Sequence, residues 1–176
     1  MQIAGKAFIP YLDAEKVEER VIDIAQRINQ DYKGKYPLMV GILNGAFMFT
    51  SDLAKHLDIP VEITFMRLSS YEGESSTGEV KQLIGLGDEI RDRHVIIVED
   101  IVDSGLTMQA LLQELAKFEP ASVALTALLL KPKSLQCEVN LDYLGFEIED
   151  DFVIGYGMDY NGYGRNLNTI YQLKDS

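Results

Sequence analysis

The sequence predicts an α/β fold built on a mainly parallel, twisted sheet flanked by helices. Residues 95–98 and 122–130 are strongly apolar runs, which are typical of strands buried on both faces of a sheet. Residues 38–43 and 95–98 are each followed by a short loop and then by a helical pattern. Strands that alternate with helices in this way indicate a parallel sheet whose carboxyl ends face ligands.

The first predicted helix starts after Asp13, a residue type that can cap a helix, and ends within residues 29–35. Residues 38–43 then form a short buried strand, which Asn44 and Gly45 break before a second helix. The apolar residues of both helices recur at helical spacing. They are Val17, Val21, Ile24, Ala25 and Ile28 in the first helix and Phe49, Leu53 and Leu57 in the second.

Residues 61–65 alternate between apolar and polar side chains, which predicts a half-exposed strand. The next segment, residues 69–81, is polar, rich in glycine and serine, and long for a connection inside a compact domain. Such a loop is either a lid over a site or a floppy surface hairpin. Residues 80–86 are candidates for its returning strand.

Carboxylates are concentrated directly after the predicted strand at residues 95–98. Glu99, Asp100 and Asp103 are followed by Ser104, Gly105 and Thr107, and then by a helical pattern with apolar residues at Met108, Leu111, Leu112 and Leu115. Backbone N–H groups of such a loop can hold a phosphate, while the carboxylates can hold Mg²⁺ or sugar hydroxyls. The competing interpretation is a solvated loop with a helix cap. Three carboxylates within five residues make a poor neutral loop, because like charges repel.

The last third of the chain adds further candidate site residues. Pro120 ends the preceding helix, and Lys131 stands at the carboxyl end of the strand predicted at residues 122–130. A short strand is expected around residues 143–146. Residues 152–167 are rich in aromatic side chains and glycine, and taken alone they indicate an edge hairpin.

Composition limits the partners that this protein can have. The 176 residues are most simply one domain, with 47% hydrophobic and 25% charged residues. The net charge of −12 disfavours nucleic acid and anionic membranes as partners, and an anionic substrate would then favour a bound metal. Cys137 is the only cysteine, and the sequence has no signal peptide or membrane-spanning run. We therefore expect a cytoplasmic location.

Five separated segments resemble one family. Residues 95–107, with the acidic pair and D-S-G-x-T, are similar to the phosphoribosyl pyrophosphate (PRPP) motif of type I phosphoribosyltransferases. Residues 43–46 resemble the pyrophosphate loop of the purine-specific members, and residues 129–132 and 152–167 resemble their purine-binding segments. Ser70 and Tyr71 resemble the start of their closing loop. The resemblance covers residues 38–165 and indicates the hypoxanthine-guanine branch of the family.

The resemblance implies a type I phosphoribosyltransferase fold in a single domain, residues 1–176. A small hood would come mainly from residues 134–176, with a contribution from the N-terminal residues. It implies transfer of the phosphoribosyl group from PRPP to hypoxanthine and guanine in purine salvage, with Mg²⁺ as cofactor, in a dimer or tetramer. Preference among hypoxanthine, guanine and xanthine stays open, because backbone geometry sets it.

The resemblance also implies a role for individual residues. Asp103 is the expected catalytic residue, which manages the purine proton. The residues expected to bind the ribose phosphate are Glu99, Asp100, Asp103, Ser104, Gly105, Leu106 and Thr107, and those expected to bind pyrophosphate are Asn44, Gly45 and Arg165. Ser70 and Tyr71 would belong to the lid, and the purine would bind to Lys131, Phe152, Val153 and Asp159. The expected metal ligands are Glu99, Asp100 and Asp159. Asn44 departs from the family pattern, because many members carry a basic residue there. Several members also carry arginines shortly after the lysine, where this chain has only Lys133.

Two other functions compete with the transferase. A PRPP-sensing regulator would keep residues 99–107 without needing Lys131, Phe152 and Asp159. A Mg²⁺ phosphatase or phospho-acceptor site would use Asp100 and Asp103 and leave Lys131 without a role. Dinucleotide, P-loop, helical zinc and nucleophile-elbow motifs are all absent from the sequence.

Overall fold

The computed structural model describes residues 1–68 and 88–174. The helices are α1 (Ala14–Asp31), α2 (Phe47–Lys55) and α3 (Leu106–Ala116), with single 3₁₀ turns at Asp88–Ile90 and Pro132–Ser134. The strands are β1 (Gln2–Ile3), β2 (Lys6–Leu12), β3 (Leu38–Leu43), β4 (Glu62–Arg67), β5 (His94–Val102), β6 (Ser122–Leu130), β7 (Tyr143–Glu147), β8 (Val153–Ile154) and β9 (Ile170–Leu173). None of the described helices is long and apolar enough to cross a membrane.

The larger sheet has five strands in the order β4-β3-β5-β6-β7, and every neighbouring pair is parallel. β5 is buried on both faces, because Ile96 packs with the core formed by α1 and α2 while Ile97 packs with the core formed by α3. Each such fully buried side chain stabilises the fold by about 1.5–3 kcal/mol relative to an exposed one. The predicted parallel α/β fold is confirmed.

Strand order locates the ligand-binding edge of this sheet. The chain leaves β3 for β4 on one side and returns to β5 on the other side of β3. Ligands of open α/β sheets bind at such a switch point, outside the carboxyl ends of the strands. β3 pairs with β5 only as far as Gly41 and Val98, whereas β6 accompanies β5 to Val102. The end of β5 therefore has a strand neighbour on one side only, and a crevice opens on the other.

A second, four-stranded sheet lies beside the first, in the order β1-β2-β9-β8. We call this sheet, with the connection from β8 to β9, the hood. Both chain termini build it, since β2 pairs with β9 in antiparallel fashion. It takes less of the C-terminal region than residues 134–176, because β7 pairs with β6 and so joins the parallel sheet.

Element ends differ from the sequence expectation at three places. Asp13 precedes α1 but makes no capping hydrogen bond with its side chain, which lies 3.9 Å from Lys16 Nζ. α2 ends at Lys55, so Leu57 lies beyond it. β5 runs to Val102 rather than Val98, because its backbone stays paired with β6, and Glu99 and Asp100 are therefore strand residues rather than loop residues.

Candidate active site

Glu99 and Asp100 stand at the open end of β5. Glu99 is 8% exposed, and its Oε1 accepts a hydrogen bond from the Asp100 amide at 3.0 Å. Asp100 Oδ1 accepts one from the Ile101 amide at 2.9 Å. Burial raises the pKa of Glu99 well above its usual value, and the neighbouring Asp100 carboxylate adds to the rise. The two adjacent acids thus differ in burial, since Glu99 is buried and Asp100 is half-buried.

The turn at Asn44 and Gly45 lies directly against Asp100. The peptide bond from Leu43 to Asn44 is cis, and a Cβ atom on Gly45 would lie 1.5 Å from Asp100 Oδ2. A side chain at residue 45 would therefore displace the Asp100 carboxylate. Ala46 precedes α2 and provides no side-chain cap, so the first amides of that helix lack a capping side chain. Such amides can bind an anion at this edge.

The end of β5 and the loop after it form the first cavity. Glu99, Asp103, Ser104, Gly105 and Thr107 line it, and we call it the β5-loop cavity. Gly105 has a φ of 79°, and a Cβ atom on it would lie 2.7 Å from Val139 Cγ2. The Gln136 amide donates to the Ser104 carbonyl at 2.9 Å. The segment at residues 136–139, which is remote in sequence, therefore packs against the loop and fixes its position.

A second cavity, the hood cavity, lies between the end of β5 and the hood. Its lining combines residues from the three segments that the sequence singled out separately. They are Asp100, Ile101, Asp103, Lys131, Phe152, Val153, Met158, Asp159 and Arg165. Asp103 lines both cavities, so the two are adjacent and Asp103 stands where they meet.

Lys131 is a buried cation held between two carboxylates. It is 8% exposed, and its Nζ lies 3.3 Å from Asp103 Oδ2 and 3.5 Å from Asp150 Oδ1. Ser134 Oγ donates to Asp150 at 2.8 Å. This hydrogen bond and the Lys131 charge hold the pKa of Asp150 below its usual value. The ammonium group is therefore fixed beside Asp103 at the wall of the hood cavity.

Phe152 supplies an aromatic surface to the same cavity. Its ring is 45% exposed, and the edge of Tyr160 meets it at 5.8 Å between centroids and 80° between planes. Tyr160 also packs against Phe8 of β2, with 5.9 Å between centroids. A planar ligand can stack on a ring supported in this way. Val153, the next residue, is buried in β8.

The connection after β8 brings the hood against the turn at Gly45. Gly157 has a φ of 99°, and a Cβ atom there would lie 1.9 Å from the Gly45 carbonyl oxygen. Arg165 donates to the Gly157 carbonyl at 2.7 Å and pairs with Asp159 at 2.5 Å. Two segments predicted separately for pyrophosphate, Gly45 and Arg165, are thus joined through Gly157.

Known proteins share this architecture and length. The family model of the phosphoribosyl transferase domain matches residues 10–161. The chain belongs to the phosphoribosyltransferase family. It is 40% identical over 169 residues to the hypoxanthine-guanine phosphoribosyltransferase of Mycobacterium tuberculosis, covering 92% of this chain and 84% of the relative. The enzyme of the same name from Aquifex aeolicus is 36% identical, with 99% of each chain covered.

A solved structure supports the same family. The crystal structure of a hypoxanthine-guanine phosphoribosyltransferase from Bacillus anthracis superimposes with a TM-score of 0.89 at 34% identity. The alignment covers 97% of this chain and 99% of that one. The resemblance of the sequence to the phosphoribosyltransferase family is therefore confirmed, although the roles of individual residues stay predictions.

Some residues expected in the phosphoribosyltransferase site lie apart from the two cavities. Leu106 is 47% exposed and lines neither. Asn44 is exposed at the turn and also lines neither. Ser70 and Tyr71 lie outside the described residues.

The three carboxylates expected to hold a metal do not form a ready-made cluster. Glu99 lines the β5-loop cavity, whereas Asp159 lines the hood cavity and is paired with Arg165. Within residues 1–68 and 88–174, no group of three His, Cys, Asp or Glu side chains is arranged to hold a metal ion. A cation here would need oxygen ligands from a substrate or water.

Five residues of the site were missed from the sequence. Ile101 and Met158 line the hood cavity, Val102 and Met108 line the β5-loop cavity, and Asp150 holds Lys131. Asp150 stands in the acidic run at residues 147–151, which favours a solvated surface. Its position two residues before Phe152 was the one available signal. Ile101 and Met158 carry no such signal, because apolar residues beside polar motifs are usually core residues.

Proposed function

We propose that this enzyme acts in purine salvage by transferring the 5-phosphoribosyl group of PRPP to hypoxanthine and guanine, giving IMP or GMP and pyrophosphate. The observation that carries the proposal is the hood cavity. It joins Asp100 and Asp103, from the PRPP motif, to Lys131 and Phe152, from the purine segments. The two substrates would therefore meet at Asp103.

The base binds between Phe152 and Lys131. The exposed ring of Phe152 stacks on the purine, and Val153 meets its edge through the backbone. Lys131 donates a hydrogen bond to the 6-oxo group. Adenine carries an amino group at that position and cannot accept this bond, so a buried ammonium group favours oxopurines.

The ribose phosphate binds along the end of β5. Glu99 and Asp100 accept hydrogen bonds from the ribose hydroxyls, and the amides of residues 104–107 hold the 5′-phosphate at the start of α3. Pyrophosphate leaves toward the turn at Gly45 and toward Arg165. Arg165 lies at the wall of the hood cavity and suits a diphosphate because its planar group donates two parallel hydrogen bonds.

Asp103 manages the proton. In the reaction, purine N9 forms a bond to C1′ of the ribose while the bond from C1′ to pyrophosphate breaks, and the base gives up one proton. Asp103 lies 3.3 Å from Lys131 and so beside the bound base, where its carboxylate can accept that proton. The remaining catalysis is electrostatic placement, because charge develops on the ribose and on pyrophosphate.

Mg²⁺ fits the donors that this site provides. Glu99, Asp100 and Asp159 offer hard oxygen ligands, and Mg²⁺ is commonly held by one or two carboxylates together with substrate phosphates and water. The absence of a three-ligand cluster in the described part of the chain agrees with such sharing. When bound, the metal would neutralise charge on the leaving pyrophosphate. Such a metal would also explain how a protein with a net charge of −12 binds the anion PRPP.

We also propose a homo-oligomeric assembly and a cytoplasmic location, which the surface properties support. Ile63 and Phe65 lie on one face of the edge strand β4 and are 44% and 43% exposed. Exposed apolar residues on an edge strand favour a homo-oligomer, a dimer or tetramer, in which a second copy covers them. The charge of −12 and the lone Cys137 fit a cytoplasmic protein that binds neither nucleic acid nor membrane. Light scattering on the purified protein would measure the assembly directly.

Product formation tests the proposal. Purified protein is incubated with PRPP, Mg²⁺ and one purine at a time, and nucleotides are separated by chromatography. IMP and GMP should form, with adenine giving none. Tight PRPP binding without any nucleotide product would instead favour a PRPP sensor. Phosphate release without a base would favour the phosphatase.

A further inference from the structure

One hydrogen bond ties the hood to α2 behind the proposed pyrophosphate site. The Tyr156 hydroxyl donates to Asp52 Oδ2 at 2.7 Å, across 104 residues of sequence. Tyr156 is 4% exposed, and Lys55 Nζ holds the other oxygen of Asp52 at 2.7 Å. Burial, and then the bond to Asp52, raise the pKa of Tyr156, so the hydroxyl keeps its proton and stays a donor at neutral pH.

At the hood end, Tyr156 is fixed within a tight turn. Gly155 and Gly157 flank it with φ values of 97° and 99°, and its own φ is 49°. Its amide donates to the Leu167 carbonyl at 2.7 Å, and the Gly157 amide donates to the Arg165 carbonyl at 2.9 Å. A shift of Tyr156 would therefore move the backbone that carries Arg165.

At the other end, Asp52 lies in the helix that follows the Gly45 turn. The Ala46 amide donates to the Ile42 carbonyl at 3.0 Å, so the turn leads directly from β3 into α2. The Gly157 backbone rests against the Gly45 carbonyl oxygen, where no Cβ atom would fit. The backbone contact therefore holds the Gly45 turn against the hood, and the hydrogen bond holds α2 against it.

We propose that Asp52 and Tyr156 are positioning residues that set the affinity for PRPP without touching it. They hold the Gly45 turn and the Arg165 segment at one separation, and pyrophosphate must fit between the two. This inference rests on the proposed function. Neither residue lines the hood cavity or the β5-loop cavity, so each acts through the backbone it fixes.

The chain contains a matched control. Tyr143 donates to Asp31 Oδ2 at 2.7 Å, and Tyr143 is also 4% exposed. Burial and the bond to its aspartate raise the pKa of Tyr143 as well. This bond joins β7 to α1, and neither partner lines the two cavities. The two bonds share chemistry, length and burial, and differ in what they hold.

The test compares Y156F, D52N and Y143F with the wild type. Each phenylalanine variant loses one hydroxyl, while asparagine at residue 52 keeps an oxygen that accepts the tyrosine bond. Asp52 is 33% exposed in its side chain, so water can solvate its carboxylate in Y156F and the variant should fold. The measurements are KM for PRPP, KM for hypoxanthine, kcat and the thermal midpoint.

We expect Y156F to raise KM for PRPP on the order of tenfold, because small misplacements of binding groups have effects of this size. KM for hypoxanthine should stay within about twofold, since Phe152 and Lys131 are held by other contacts. D52N should stay within about threefold of the wild type in both constants. Y143F should lower the thermal midpoint and leave both KM values unchanged.

The inference is overturned if Y156F keeps the wild-type KM for PRPP, if both KM values rise together, or if Y143F matches Y156F. Should Y156F not fold, D52A removes the same bond and is compared with D52N in the same way. If the wild type forms no nucleotide, the proposed function fails by itself. In that case, the Kd for PRPP with Mg²⁺ is measured by calorimetry to test the positioning role of Tyr156. Equal Kd values in Y156F and wild type overturn the inference.

Discussion

The end of β5 and the hood supply the two halves of one site, but the chain builds them differently. At β5, a paired strand, a glycine turn and a helix follow one another within residues 94–116, so neighbouring residues in sequence are neighbours in the site. In the hood, Asp159 and Arg165 are placed by contacts with residues far away, such as Gly157 against Gly45. One half is locally encoded and the other depends on tertiary contacts.

The comparison teaches where substitutions should act. In the proposed function, side chains of the β5 half carry the chemistry, so removing one of their functional groups should change kcat. In the hood half, the backbone is positioned by close approaches and hydrogen bonds, so disturbing these should change substrate affinity first. Each of the following predictions tests this distinction.

The largest expected effect is at Asp103, in the β5 half. D103N keeps the shape of the side chain and removes its ability to accept a proton at neutral pH. We expect kcat to fall by about 10²- to 10⁴-fold, with KM for PRPP changed only a few-fold. Steady-state kinetics with hypoxanthine measure both. D151N, in the acidic run before Phe152, is the control and should behave as the wild type; an unchanged kcat in D103N would remove Asp103 from the mechanism.

A smaller loss is expected at Gly157, in the hood half. An alanine there would place Cβ 1.9 Å from the Gly45 carbonyl oxygen, so the hood or the turn must move. We expect KM for PRPP to rise by about 10- to 100-fold in G157A, since both loops would contact pyrophosphate in the proposed function.

The control for G157A is G34A. Gly34 has a φ of 78°, similar to the 99° of Gly157, but no atom lies within 4 Å of its added Cβ. The backbone penalty is therefore shared while the steric clash is not, and G34A should lose some stability without a change in KM. Equal KM values for G157A and G34A would contradict a positioning role for this contact.

Lys131 lies where the β5 half and the hood half meet, and replacing it tests the proposed contact with the base. K131Q removes the buried ammonium that lies between Asp103 and Asp150 and keeps a side chain of similar length. We expect kcat/KM for hypoxanthine to fall by about 10- to 100-fold, because a charged hydrogen bond to the 6-oxo group is lost. K133Q is the control, since Lys133 is exposed and paired with Glu149. An equal loss in K133Q would show that general charge, not the 6-oxo contact, sets activity.

The β5 half of the site was more predictable from the sequence than the hood half. Glu99 to Thr107 form one contiguous pattern, and the sheet edge that presents them followed from the strand periodicity alone. The continuation of β5 to Val102 was missed, because pairing with β6 overrides the polarity of Glu99 and Asp100.

The hood was only partly predictable. Its aromatic and glycine pattern marked residues 152–167, but pairing of β2 with β9 joins residues more than 150 positions apart, and no local pattern encodes such pairing. The Tyr156–Asp52 bond left no sequence signal for the same reason, since Asp52 stands on α2 as an ordinary helical carboxylate beside Lys55. Tertiary contacts position the hood residues and the Tyr156–Asp52 pair, and the local sequence pattern does not predict such contacts.

The smallest expected effect concerns alkaline pH and separates titration from positioning. The pKa of Tyr156 is raised in the folded protein above the usual value of about 10. The folded state therefore keeps a proton that the unfolded state loses, so the stabilisation is complete below about pH 10 and is lost as the pH rises further. Above about pH 10, the free energy of unfolding of the wild type should fall more steeply with pH than that of Y156F. The two slopes should differ by about 1.4 kcal/mol per pH unit, which corresponds to one proton.

Urea unfolding at pH 8, 10 and 11 measures this slope, and parallel profiles for Y156F and wild type would contradict the raised pKa. Y143F should also flatten the profile, because the pKa of Tyr143 is raised in the same direction and for the same reasons. The two variants would then agree in their alkaline unfolding and differ in KM for PRPP. Such a pattern separates what a buried tyrosine–aspartate bond contributes to stability anywhere in this fold from what it contributes by joining α2 to the hood.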